Sequence, residues 1–152
     1  NMWCRIARLS NVCGNDFSSD NFIYSIIKDA VNEGTIRLKT ALDSEKDYIS
    51  INDVVDLILT ISQKGNLRLY NVASGVNISH RQIIDVIRDV SGCKIIVDQD
   101  AKTVRFPQVN IQRIKSEFGF TPANCLELIR KLASYYKKEC ELKRNYGTIT
   151  TV

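Results

Sequence analysis

The residues best placed to do chemistry gather around one stretch, Lys46-Asp47-Tyr48-Ile49-Ser50-Ile51-Asn52-Asp53, and the apolar run behind it. Tyr48, Ile49 and Ile51 suit a strand. Val54, Val55, Leu57, Ile58, Leu59 and Ile61 recur at helical spacing and form a broad apolar face. Asn52 and Asp53 stand at the junction, where short polar side chains accept orphan backbone N–H groups and an acid meets the positive helix end; Asp53 reads as a helix cap. A charged head, an apolar strand and a helix with a fixed entry make a device for holding a cation, Lys46, at the edge of a cleft. The single histidine, His80, follows Ser79 and reads as an exposed residue of a first helical turn, with no triad or metal set around it. Five cysteines (Cys4, Cys13, Cys93, Cys125 and Cys140) include no C-x-x-C pair and show neither a zinc nor a disulfide framework. Cys4 and Cys125 read as core thiols, and a reducing compartment, the cytoplasm, is expected.

Positioning the central stretch takes an alternation of strands and helices. Trp3 to Leu9 reads as a strand continuing to about Val12, and a turn-rich loop runs on to Asp16. Asp20 or Asn21 can cap a helix carrying Phe22, Ile23, Ile26, Ile27, Ala30 and Val31, which Gly34 ends in the left-handed conformation. Thr35 to Thr40 forms a short strand. After the central strand and helix, Leu67 to Val72 is another strand and Ala73-Ser74-Gly75 a turn. Ser79 with Gln82 fits a capping box before a helix that stops at Gly92. Cys93 to Val97 is a strand. Asn110 can cap a short helix closed by Gly119, and Asn124 a final helix that frays after about Leu142. Strands alternating with helices predict an α/β class. No linker divides residues 1–152, so one folding unit is expected.

Composition narrows the function. Apolar content of 44% and charged content of 25% are ordinary for a globular chain. A net charge of +4, with scattered cations and no aromatic–basic interleaving, argues against a nucleic-acid partner. No membrane-length apolar run or signal peptide is present, so no membrane partner is expected. The chain opens on Asn1 and enters a strand pattern almost at once, which reads as a piece of a longer protein.

Several short segments fall in an order that resembles the extended short-chain dehydrogenases/reductases, the nucleotide-sugar epimerases and dehydratases. Arg8-Leu9-Ser10-Asn11-Val12-Cys13-Gly14 is similar to that family's R-x-S-N-V-Y-G-P loop, with Cys13 for Tyr and Asn15 for Pro. Asn21-Phe22-Ile23 resembles the segment whose Asn contacts the substrate's diphosphate. Lys46 to Val54 resembles R-D-Y-[IV]-x-[VI]-x-D-[VA], with Lys46 for Arg. Leu69 to Gly75 is similar to the Y-N-[IV]-G-[SG]-G strand and turn. Arg105-Phe106-Pro107 resembles the late Arg that closes on the diphosphate, and Lys115 to Pro122 the K-x-x-L-G-[WF]-x-P landmark.

The resemblance implies the last strands of a Rossmann-type fold plus a small α/β substrate-binding lobe, with the N-terminal dinucleotide-binding part absent. It implies that Ser10, Asn11 and Val12 lie near the nicotinamide of NAD or NADP. It implies that Asn11, Asn21, Lys46 and Arg105 ring the phosphates of a nucleotide-sugar substrate. Asn amides supply donors without excess charge, Arg105 can bind phosphate oxygens bidentately, and Lys46 acts as a point charge. The family's glycine-rich dinucleotide loop is not found. A Tyr-x-x-x-Lys string at Tyr24 to Lys28 falls after the Ser-Asn-Val loop, whereas the family's acid/base pair precedes it; it reads as a decoy. No catalytic residue is therefore assigned to this chain, and inactivity of the isolated chain is expected. Strands near Leu9 and Tyr70 would lack sheet neighbours, so association with a missing N-terminal half or a homodimer is expected. The alternative is a stand-alone, non-catalytic module that binds a nucleotide-sugar or another protein.

Overall fold

A computed structural model describes residues 4–146; Trp3 of the expected first strand lies outside them. Strand β1 (Ile6–Leu9) pairs in parallel with β5 (Leu69–Val72). After Ser10 the chain changes partner: β2 (Asn11–Cys13) pairs in parallel with β4 (Glu45–Ser50), and β4 pairs antiparallel with β6 (Asn77–Ser79). A third sheet joins β3 (Thr35–Thr40) in parallel to β7 (Lys94–Lys102). Helices α1 (Phe22–Lys28), α2 (Ile51–Lys64), α3 (His80–Ser91), α4 (Gln112–Phe118) and α5 (Cys125–Tyr146) lie between and after the strands. This is the expected α/β class with parallel strands.

The helix boundaries follow local chemistry. Asn21 caps α1 by accepting from Tyr24 N, and a π-helical turn over 29–33 carries the chain to Gly34, whose φ of 63° closes it. Ser79 and Gln82 form the reciprocal capping box at α3. Asn124 accepts from the N–H groups of Leu126 and Glu127 at the start of α5.

Several expectations are corrected. Ser50, not Asp53, caps α2 by accepting from Asn52 N; the Asp53 carboxylate instead accepts from Ala123 N at 2.9 Å and tethers the approach to α5. The apolar face of α2 is split: Val54, Leu57 and Ile61 are buried, whereas Ile51, Val55, Ile58 and Leu59 are exposed. One sheet covers only one side of a helix. Cys4 is exposed, because it precedes the first strand. The turn after β5 leads into the short strand β6, which sequence alone did not show. Its three residues are too few for a periodic signal.

Two apolar cores result. One packs Ile23, Ile27, Ile36, Tyr48, Ile84 and Ile129 between α1, α3, α5 and the second and third sheets. The other packs Ile49, Leu57, Tyr70, Val72, Ile111 and Ile114 under α2 and α4. Among the described residues β1 has no strand on its second edge, and Ile6 and Leu9 are exposed.

Asp47 ties the sheets together. Its buried carboxylate accepts from Ser74 N at 3.0 Å, Ser74 Oγ at 3.1 Å and Gly75 N at 2.7 Å. Gly75 has φ of 75°, and a Cβ there would lie 2.7 Å from the Ile111 side chain. Replacing Asp47 by Ala strands buried donors and should cost roughly 3 kcal/mol of unfolding free energy. Gly75→Ala should cost roughly 2 kcal/mol through backbone strain and overpacking. Urea unfolding of both variants against the parent chain measures these losses.

The thiols divide by burial. Burial pushes Cys13 up to about 11, against a lowering hydrogen bond with Tyr24, and pushes Cys125 up to about 12. A buried, protonated thiol is a poor nucleophile. Cys4 and Cys140 should therefore react promptly with a chromogenic disulfide reagent in the native chain. Cys13, Cys93 and Cys125 should react only on unfolding.

Candidate functional site

Strand β4 collects the candidate residues. Asn11 is in register with Tyr48 across β2–β4, and its Nδ2 donates to Asp47 O at 2.8 Å. Lys46 lies on β4 itself, with its Nζ 5.5 Å from the centroid of Phe106, a cation–π arrangement. Arg105 is joined to β4 by an isolated parallel bridge to Glu45, and Phe106 N donates to Glu45 O at 3.4 Å. Asn77 on β6 donates to Phe106 O at 2.7 Å, which fixes the ring that faces Lys46. Lys46, Arg105 and Asn11 are thus brought to one strand from three distant parts of the chain.

Asn21 stands at the start of α1. Phe22 stacks on His80 with centroids 4.2 Å apart and planes 23° apart. The Asn21 carbonyl oxygen accepts from Tyr24 N at 3.4 Å, so that side chain acts as a helix cap in this structure. Ser10 precedes β2, with its backbone N–H on Val72 O at 3.1 Å, and Val12 is paired with Ile49.

His80 is the residue that sequence reasoning misplaced. It is buried, not exposed: 3% of its surface is accessible. The ring packs on Phe22, and Nδ1 lies 3.1 Å from Thr40 Oγ1. Its Nε2 is buried without a partner. Position in a first helical turn implies exposure only when nothing stands opposite that turn, and here the start of α1 does. The backbone N–H of His80 also donates to Ser44 O at 2.8 Å, which draws α3 onto the loop before β4.

Orphaned polar atoms lie on β4 and next to it. Ser10 Oγ, Tyr48 OH, Asn77 Oδ1 and His80 Nε2 are buried and unpartnered among the described residues. Tyr48 is on β4, Asn77 on its partner β6, His80 directly after β6 and Ser10 directly before the other partner, β2. Buried polar groups are almost always paired, so unpartnered ones around a single strand are a reason to look for a polar ligand there.

The Tyr24–Lys28 string has structural work. The Tyr24 hydroxyl accepts from Gly14 N at 2.7 Å and donates to Gly14 O. Lys28 donates to Ser19 O at 3.1 Å and pairs with Asp20 at 3.5 Å. Burial, the leading cause, holds the Tyr24 hydroxyl above its ordinary pKa, the opposite of an activated acid/base. Among the described residues no three His, Cys, Asp or Glu side chains gather as a metal set. No helix described is long and apolar enough to cross a membrane.

Comparison with known proteins fits this architecture. Residues 1–73 match the model of the NAD dependent epimerase/dehydratase family. RMD from Pseudomonas aeruginosa, solved with NADPH, is similar over 87% of this chain and 47% of its own, at TM-score 0.73 and 21% identity. The dTDP-glucose 4,6-dehydratase of Bacillus anthracis, solved with NAD, is similar over 89% of this chain and 44% of its own, at TM-score 0.70 and 17% identity. The UDP-glucose 4-epimerase of Thermotoga maritima, solved with UDP-glucose, is similar over 88% and 46%, at TM-score 0.69 and 18% identity. The fold is the one these enzymes share. The chain spans about half the length of each of these three structures. No curated protein matches it in sequence.

His80 yields a pH test. Burial first, and then the charge of Lys46, hold its pKa below the usual 6.5. Above that value the ring is neutral in folded and unfolded chains alike. Below it the unfolded chain binds a proton that the folded chain refuses, so stability falls as pH falls. The urea midpoint should drop between pH 7.5 and 5.5, and drop less in His80→Gln. Proton NMR of this sole histidine should give a titration midpoint below 6.5.

Proposed function

We propose that this chain is the nucleotide-sugar-binding part of an NAD- or NADP-dependent epimerase, dehydratase or reductase. The observation that carries the reading is the placement of Lys46, Asn11 and Arg105 along the single strand β4, with unpartnered buried polar atoms on and next to that strand. A diphosphate carries its charge on several oxygens and takes converging donors. The Arg105 guanidinium would engage two of those oxygens at once, and Lys46 would add a point charge over Phe106. Asn11, whose Nδ2 is held by Asp47 O, keeps its carbonyl oxygen for a sugar hydroxyl, and Asn21 would add its free amide donors.

The residues at the β1–β2 junction fit a nicotinamide cofactor, because Ser10 Oγ is a buried polar atom with no protein partner. In this reading Ser10, Asn11 and Val12 would line the nicotinamide end, and the cofactor supplies a hydride acceptor when bound. The glycine-rich loop and the proton-transferring Tyr and Lys would lie in a preceding portion, so this chain alone would not turn over substrate.

The surface supports association. Ile6 and Leu9 on the unpaired edge strand and Ile51, Val55, Ile58 and Leu59 on α2 are exposed apolar side chains. A preceding dinucleotide-binding portion would cover them, and a homodimer would cover what is left. The five free thiols fit a reducing compartment, the cytoplasm in this reading.

Calorimetric titration of the chain with UDP, GDP and dTDP tests the assignment. One of them should bind, and Lys46→Gln and Arg105→Gln should each weaken it about tenfold. Failure of all three to bind, or affinities unchanged by both substitutions, overturns the reading. Binding without any requirement for added NAD or NADP, by a chain whose full-length form has no dinucleotide loop, would favour the stand-alone module.

A further inference from the structure

His80 stands one step from Lys46 across the β4–β6 pair. In that antiparallel register Glu45 faces Ser79 and Lys46 faces Ile78. The pairing runs one residue further, because His80 N donates to Ser44 O at 2.8 Å. Ser79 is extended, so the side chain of His80 leaves on the face opposite to that of Ser79. Ile78 and Lys46 project to this same face, and Lys46 is the diagonal cross-strand neighbour of His80, within reach of a long side chain.

The ring itself is enclosed by uncharged groups. Helix α1 lays Phe22 on it, with centroids 4.2 Å apart, and β3 brings the Thr40 hydroxyl to Nδ1 at 3.1 Å. Nε2 is buried and has no partner among the described residues.

The unpaired charges that face it are positive. Strand β4 brings Lys46, and β7 brings Lys102 as the register partner of Thr40. Arg37 and Lys39 project to the other face of β3, and Glu45 and Asp47 to the other face of β4. On α3, Arg81 pairs with Asp43 at 3.2 Å, so that carboxylate of the loop before β4 is already taken. Asp20, before α1, pairs with Lys28 at 3.5 Å. His80 is also the first residue of α3, where the positive helix end disfavours a further positive charge.

An imidazolium in this position would carry two N–H donors with one acceptor, Thr40, and would face Lys46. An anion seated on Lys46 reverses the balance. It offsets the cation that opposes the proton and attracts the proton itself. By linkage, a ligand that raises the proton affinity of the ring is bound more tightly once the ring is protonated.

We propose that His80 makes substrate binding proton-linked: a diphosphate on Lys46 and a proton on the His80 ring each strengthen the binding of the other, so the nucleotide-sugar is held more tightly as pH falls through the titration of the ring. This rests on the reading of β4 as the diphosphate site.

Proton NMR of the sole histidine in the full 152-residue chain reads the titration directly. The probes are UDP-glucose, GDP-glucose and dTDP-glucose, whose diphosphate diesters do not titrate near neutral pH. A probe that binds should raise the midpoint of the ring by about half a pH unit, and its affinity should rise roughly threefold once the ring is protonated. With no probe present, Lys46→Gln should also raise the midpoint, whereas Lys64→Gln, at the exposed end of α2, should leave it in place. His80→Gln should bind the probe without that pH dependence. A midpoint unmoved by a probe whose binding needs Lys46 overturns the coupling and leaves the diphosphate site standing. A ring that takes up no proton before the chain unfolds overturns it too, as does a midpoint moved as far by Lys64→Gln as by Lys46→Gln. Failure of all three probes to bind overturns the reading of β4 and the coupling together. The wild-type titration decides the question even where a variant fails to fold.

Discussion

The carboxylate of Asp47 is the interaction on which the rest of the structure depends. It is buried, yet it accepts from the N–H groups of two consecutive residues and from a hydroxyl on the turn that follows β5. The same residue's carbonyl accepts from Asn11. A buried carboxylate is tolerable only when its oxygens are satisfied, and backbone N–H groups satisfy them without bringing in a countercharge. One residue therefore joins β2 and β6 through its backbone and the turn after β5 through its side chain.

That link explains where the candidate site can form. Asp47 turns its side chain toward the 74–75 turn. Lys46, its neighbour in an extended strand, projects to the opposite face. There Phe106 lies within cation–π range, and the 105–106 segment is pinned by the bridge to Glu45 and by Asn77. The aromatic ring faces the cation and helps to hold it in place. His80 adds a neutral ring beside that charge, because a protonated one would be both buried and repelled by Lys46.

The exposed apolar surface belongs to the same picture. The β1–β5 pair is covered on the face of Tyr70 and Val72 by α2 and α4, while Ile6 and Leu9 and one stripe of α2 remain in solvent. A two-stranded pair cannot shield both faces and both edges with the elements described.

The sequence by itself determined the element order. Strand and helix periodicity, the Ser79–Gln82 capping box, the caps at Asn21 and Asn124 and the stops at Gly34, Gly92 and Gly119 are local signals, set by backbone geometry within a few residues. The order of short segments also marked Asn11, Asn21, Lys46 and Arg105 as candidates before any contact was known. Only the tertiary structure decided which side of α2 is buried, because seven apolar positions look alike until one sheet covers some of them. It moved the cap of α2 from Asp53 to Ser50 and sent Asp53 to a segment 70 residues away. It buried His80 against Phe22 and exposed Cys4, since burial depends on what stands opposite a residue and not on its neighbours in the chain. The pairings of Lys46 with Phe106 and of Arg8 with Asn71 join residues 60 and 63 positions apart. No periodicity within a short window can carry information over that distance.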